Sequence, residues 1–117
     1  MQAFRTMLAT GLISFASVAL ADGDFTTMNG AEIRAALTGK VLNYSGRHDG
    51  RWQVFSEGGE TLYFDGRESR GTWRVQADQY CSLWAPGGGW ACYDMETDGT
   101  VLRFIGRAGD VYEGVIE

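Results

Sequence analysis

Residues 79–94, Gln-Tyr-Cys-Ser-Leu-Trp-Ala-Pro-Gly-Gly-Gly-Trp-Ala-Cys-Tyr-Asp, decide the fold. Two alternating runs face each other across Pro86-Gly87-Gly88-Gly89, which predicts an antiparallel hairpin. If Cys81 opposes Cys92, then Leu83 falls opposite Trp90 and Gln79 opposite Asp94. The other face pairs Tyr80 with Tyr93 and Ser82 with Ala91, and Trp84 meets Gly89 where the loop begins. Aromatics then stand beside aromatics, with no like charges opposed. Directly opposed strand residues lie close enough for a disulfide, so the spacing predicts a Cys81–Cys92 bond. Trp90 shares the cysteine face and is expected in the core, which leaves Trp84 as the more exposed of the two.

Other uses of the cysteines fit poorly. A thioredoxin-like site needs Cys-x-x-Cys at a helix start, and a zinc site needs four ligands at short spacing. The chain offers two cysteines and one histidine, so no metal site is expected.

Outward from this hairpin the same alternation recurs. Val41–Tyr44, Trp52–Ser56, Thr61–Phe64, Thr72–Gln76, Tyr80–Trp84, Trp90–Met95, Val101–Ile105 and Val111–Ile116 each read as a strand. Asp49-Gly50, Gly58-Gly59, Asp65-Gly66, Ala77-Asp78, Asp98-Gly99 and Gly109-Asp110 lie between them, and Asp-Gly is a strong hairpin signal because glycine accepts positive φ. Seventeen glycines against one proline suit such turns. The expectation is a mainly β fold, an antiparallel eight-strand meander forming a small barrel, with a two-sheet sandwich as the alternative. One short helix precedes the strands. Asn29 and Glu32 form a capping box, Ala31, Ile33, Ala35, Ala36 and Leu37 make an apolar stripe, and Gly39 is placed to end it. A helix this short needs a partner, and the sheet is the candidate.

The N-terminus reads as a secretory signal over residues 1–21. Arg5 gives the positive start, Met7–Ala16 an uncharged apolar stretch, and Ala19-Leu20-Ala21 a small-residue cleavage pattern before Asp22. A retained signal anchor is the competing reading, though the apolar run is shorter than a membrane span requires. The remainder, 22–117, is expected as a single β-barrel domain, periplasmic or secreted, without an integral membrane segment. Cleavage removes Arg5, one of ten bases, and none of the fifteen acids, so the net charge falls from −5 to −6. An acidic surface repels phosphate backbones and anionic membranes, so nucleic acid is not an expected partner.

No catalytic constellation is visible. His48 stands alone in a turn between Arg47 and Asp49, and there is no Gly-x-Ser-x-Gly elbow. The pairs Glu57/Glu60 and Asp94/Glu96 lie near turns and read as solubilising surface. The expectation is a non-catalytic binding module without cofactors, taking an unknown small ligand or an envelope protein. Its candidate binding residues are the aromatics Trp84, Trp90, Tyr80 and Tyr93. The alternative is an inhibitor of an envelope or foreign hydrolase acting through the Trp84–Trp90 loop, which the disulfide would pre-organise.

Two resemblances bear on this. Gly71-Thr72-Trp73 is similar to the Gly-x-Trp of lipocalin-type barrels, where the tryptophan plugs the barrel floor; a tryptophan packing in the core is the plainer reading. Leu62-Tyr63-Phe64-Asp65-Gly66, Gly71-Thr72-Trp73-Arg74-Val75, Asp78-Gln79-Tyr80-Cys81, Leu83-Trp84 and Ala91-Cys92-Tyr93 resemble a recurring pattern in small exported bacterial β-barrel-like proteins, mostly uncharacterised. Some similar chains carry a dihydrodipicolinate reductase label, which implies an oxidoreductase. This sequence argues against that activity, because it has neither Gly-x-Gly-x-x-Gly after a strand nor βαβ alternation.

Overall fold

The computed structural model describes residues 24–117. The expected leader and its cleavage site lie outside the described residues. The chain runs β1 (Thr26–Thr27), α1 (Gly30–Leu37), β2 (Lys40–Tyr44), a 3-10 turn (Gly46–His48), β3 (Trp52–Phe55), β4 (Glu60–Phe64), β5 (Glu68–Gln76), β6 (Gln79–Leu83), β7 (Ala91–Thr97), β8 (Val101–Ile105) and β9 (Val111–Ile116). From β2 onward each strand pairs antiparallel with the next, and β9 pairs back onto β2 through Leu42↔Ile116, Asn43↔Val115 and Tyr44↔Gly114. Eight strands therefore close into a barrel, and the sandwich alternative falls away. At the closing seam Gly114 has a specific role. A Cβ there would stand 2.7 Å from the Asn43 carbonyl oxygen, so the bare Cα lets β9 approach β2.

The eight expected strands are all present with ends shifted by a few residues. The addition is β1, which pairs Thr26↔Thr97 and Thr27↔Glu96 on β7. Two residues are too few to show a period. The central hairpin has the expected register over Tyr80↔Tyr93, Cys81↔Cys92 and Ser82↔Ala91, and the disulfide joins Cα atoms 4.0 Å apart. Gln79 and Asp94 are joined through their side chains at 3.0 Å. Beyond Ser82 the ladder stops, so Leu83 pairs with Thr72 of β5 and not with Trp90.

The inner face is the opposite of the one that places Trp90 in the core. Tyr80 and Ser82 are buried inside the barrel with Leu42, Phe55, Met95 and Phe104, whereas the disulfide lies on the outer side of the wall. Trp90 is correspondingly outside and only half-buried. Arg74, the ladder partner of Cys81, carries its guanidinium 3.8 Å from the centre of the Trp90 ring. The sequence leaves the choice of face open because both hold aromatics. The alternation of β5 and β7 around Trp73 and Met95, each inside, settles it.

One barrel end is capped. Helix α1 packs against β2, β5 and β6, and its Ile33 and Leu37 are fully buried against the same core as Phe55, Trp73 and Met95. The capping box is present: Asn29 Oδ1 accepts from the Glu32 amide at 2.9 Å and Glu32 Oε1 from the Asn29 amide at 2.8 Å. The helix stops at Leu37, with extended Thr38 as its cap and Gly39 following at φ 75°. Its first turn is tied to the barrel through Asp78, whose Oδ1 accepts from the Gly30 amide at 2.7 Å. Trp73 is a core residue at this end, 6% exposed, with its indole donating to the Ser56 carbonyl at 2.9 Å.

Candidate functional site

The other barrel end is built differently. It is formed where β2, β4, β6 and β8 finish and β3, β5, β7 and β9 begin, so four links surround it. One of these is the Pro86-Gly87-Gly88-Gly89 loop. Inward-pointing positions at this end are filled by tyrosine where the capped end uses Leu, Ile, Phe and Met. Tyrosine rings cannot close a barrel mouth while keeping their hydroxyls solvated, so the packing leaves space. A cavity of about 310 Å³ results, open to solvent and lined by Tyr44, Tyr63, Tyr80, Tyr93, Tyr112 and Phe104 with Trp84 at the rim. The chain has five tyrosines, and all five are in that lining.

The rings hold one another largely edge to face. Tyr44 contacts Tyr63 at 5.8 Å and 82° between planes, Tyr93 contacts Tyr112 at 6.1 Å and 80°, and Tyr80 contacts Phe104 at 5.3 Å and 77°. Such geometry sets electropositive edges against electronegative faces and fixes the wall. The tryptophan at the rim is positioned by a glycine. Trp84 continues the inward alternation of Tyr80 and Ser82, lies against the bare Cα of Gly71, and meets Tyr63 edge to face at 5.9 Å.

Beneath the rings runs a polar chain. Gln53, 3% exposed, accepts from the Tyr44 hydroxyl at 2.5 Å and donates to Thr61 Oγ1 and the Tyr80 hydroxyl, each at 2.9 Å. Thr61 in turn donates to the Val54 carbonyl at 2.7 Å. Nearer the mouth, the Trp84 indole donates to Ser82 Oγ at 3.1 Å. The Gln53 amide is thus satisfied within the barrel wall, as a buried amide must be. Burial pushes the Tyr80 phenol up to about 12 despite hydrogen bonds with Ser82 and Gln53 that pull it down. Burial also drives Tyr44 well above its ordinary value, and burial with Tyr112 and Asp110 nearby raises Tyr93. These hydroxyls therefore keep their protons at neutral pH.

Charge is confined to the rim. Asp65 is the one ionisable carboxylate in the lining, and Arg51 stands near enough for the two to act on each other. The Arg51 guanidinium donates to the Tyr63 hydroxyl at 3.2 Å. His48 lies over Tyr112, ring centres 4.6 Å apart, and its partial burial with Arg51 and Arg47 nearby lowers its affinity for a proton. The cavity thus presents aromatic surface, protonated hydroxyls and a charged rim.

Of the four aromatic residues singled out from the sequence, Trp84, Tyr80 and Tyr93 come together in this lining and Trp90 does not. Tyr44, Tyr63, Tyr112, Phe104, Gln53 and Ser82 were not legible as site residues. One signal is that Tyr44, Tyr63, Tyr93 and Tyr112 fall at the ends of β2 and β4 and the starts of β7 and β9, which meet at this mouth. Among the described residues no group of His, Cys, Asp or Glu is arranged to hold a metal. No helix among them is long and apolar enough to cross a membrane. Neither a protein-family model, nor a curated protein, nor a solved structure matches the chain.

Proposed function

We propose that this is an exported, non-catalytic β-barrel that binds a small molecule in its tyrosine-lined mouth. The observation that carries the reading is the cavity itself, about 310 Å³ and bounded by seven aromatic side chains at one barrel end. Its size lies at the lower bound of ordinary ligand pockets, enough for one or two fused rings. The opposite end is capped by α1, which leaves the mouth as the entrance for a ligand. Export is supported by the signal-like N-terminus and by the disulfide, which persists in oxidising compartments.

The alternative, an inhibitor acting through the Trp84–Trp90 loop, draws less support. Trp84, though 38% exposed, is held by Ser82 and Tyr63, and Trp90 lies beneath Arg74, so both rings are engaged with the barrel wall. Labelling the tryptophans with fluorine and titrating with quinoline separates these surfaces. The Trp84 resonance is expected to shift saturably while that of Trp90 stays fixed. A shift at Trp90 alone, or none at either, contradicts the proposal.

A further inference from the structure

The hydroxyl groups of the mouth do not balance, and the imbalance points to the ligand's chemistry. The Tyr80 hydroxyl accepts from Gln53 and the Ser82 hydroxyl accepts from Trp84. Tyr63 accepts from Arg51 and keeps its own hydrogen to give. The hydroxyls of Tyr93 and Tyr112 have no hydrogen-bonding partner among the described residues, although both line the cavity. Tyr63, Tyr93 and Tyr112 therefore each keep an O–H to give into a space walled by aromatic rings. In the open mouth these donors are met by water, which an acceptor on a ligand can replace.

We infer that the mouth selects an uncharged, planar one- or two-ring aromatic compound carrying a hydrogen-bond acceptor, received by the Tyr93 and Tyr112 hydroxyls. The inference rests on the ligand-binding reading above. A cation is disfavoured because Arg51 and Arg47 both stand at the rim, against the single carboxylate of Asp65. An anion would lack a direct partner inside, because no base is among the lining residues and Arg51 is engaged by the Tyr63 hydroxyl. A planar ring fits between edge-to-face walls, and one acceptor answers the surplus hydrogens.

Three probes of one shape test this: quinoline, with a ring-nitrogen acceptor; naphthalene, with none; and N-methylquinolinium, a cation. Calorimetric titration of the full chain should show quinoline binding about tenfold more tightly than naphthalene, although naphthalene is the more hydrophobic, and N-methylquinolinium more weakly than either. Since neither hydroxyl supports the fold, the double substitution Tyr93→Phe/Tyr112→Phe should leave the melting temperature unchanged and abolish the preference for quinoline. Equal affinity for quinoline and naphthalene, with no effect of the double substitution, overturns the acceptor inference and leaves the cavity reading standing. Tightest binding of N-methylquinolinium also overturns it. Failure of all three probes to bind removes both.

Discussion

The indole of Trp84 rests directly on the Cα of Gly71. A Cβ built on Gly71 would lie 2.7 Å from Trp84 Cε3 and 2.7 Å from the Leu83 carbonyl oxygen. The glycine therefore admits the ring to the barrel wall and lets β6 come close to β5. Gly71→Ala should expel the ring from the rim and cost about 1–3 kcal/mol, the usual penalty of overpacking. A lower melting temperature with red-shifted tryptophan emission checks it; an unchanged spectrum would mean the ring is not seated there. Trp84→Ala removes a rim side chain 38% exposed, so its cost to the fold should be below about 1 kcal/mol while quinoline affinity falls.

Gln53 is the hub on which the polar chain depends. Gln53→Leu keeps the volume but leaves the Tyr44, Tyr80 and Thr61 hydroxyls without their amide partner. A loss of about 2–4 kcal/mol is expected in urea unfolding. A loss under 1 kcal/mol would show that water replaces the amide and that the wall is looser than described.

The Ala77-Asp78 turn joins β5 to β6 with both residues left-handed, at φ 51° and 59°. Asparagine tolerates this conformation better than alanine, so Ala77→Asn should stabilise the protein by about 0.5–1 kcal/mol. Asp78→Ala removes the carboxylate that holds the Gly30 amide and should cost about 1 kcal/mol. Opposite signs at neighbouring positions make the pair a sharp check by thermal melting.

Asp98 accepts from the amides of Thr100 and Val101 at 2.9 and 2.8 Å, and these bonds lower its proton affinity from the ordinary value of 3.8, with the Val101 amide contributing most. A carboxylate with a depressed folded value contributes stability above its unfolded pKa and loses it as the pH falls through the folded one. Asp98→Asn keeps the turn acceptor without the titration. It should be less stable than the parent near neutrality and converge with it on acidification below about pH 4. Identical acid profiles would show that this turn takes no part in acid unfolding.

The disulfide closes a separation of 11 residues and should contribute about 3 kcal/mol by constraining the unfolded chain. Intact mass two hydrogens below the reduced value, and a melting temperature lowered by Cys81→Ser/Cys92→Ser, are the expected results. Two free thiols in the exported protein would refute the bond.

How far the site was legible follows from these same residues. Strand order, the hairpin register and the helix cap could be read because alternation, Asp-Gly turns and the Asn29/Glu32 pair are local signals. The inner face could not be read from the hairpin alone, since Tyr80/Tyr93 and Cys81/Trp90 are both plausible cores; only closure of all eight strands decides it. The cavity was illegible for a related reason. Tyr44, Tyr63, Tyr93 and Tyr112 are far apart in sequence, and a one-residue change of strand phase would put each of them outside. The two-residue β1 and the role of Gly71 likewise depend on partners distant in the chain.

The most direct test of the central claim is the set of intermolecular nuclear Overhauser contacts between bound quinoline and the isotope-labelled protein. Contacts to the rings of Tyr63, Tyr93, Tyr112 and Trp84, and none to Trp90, are the predicted result. Contacts confined to Trp90 and Arg74 on the outer wall would contradict a ligand site in the barrel mouth.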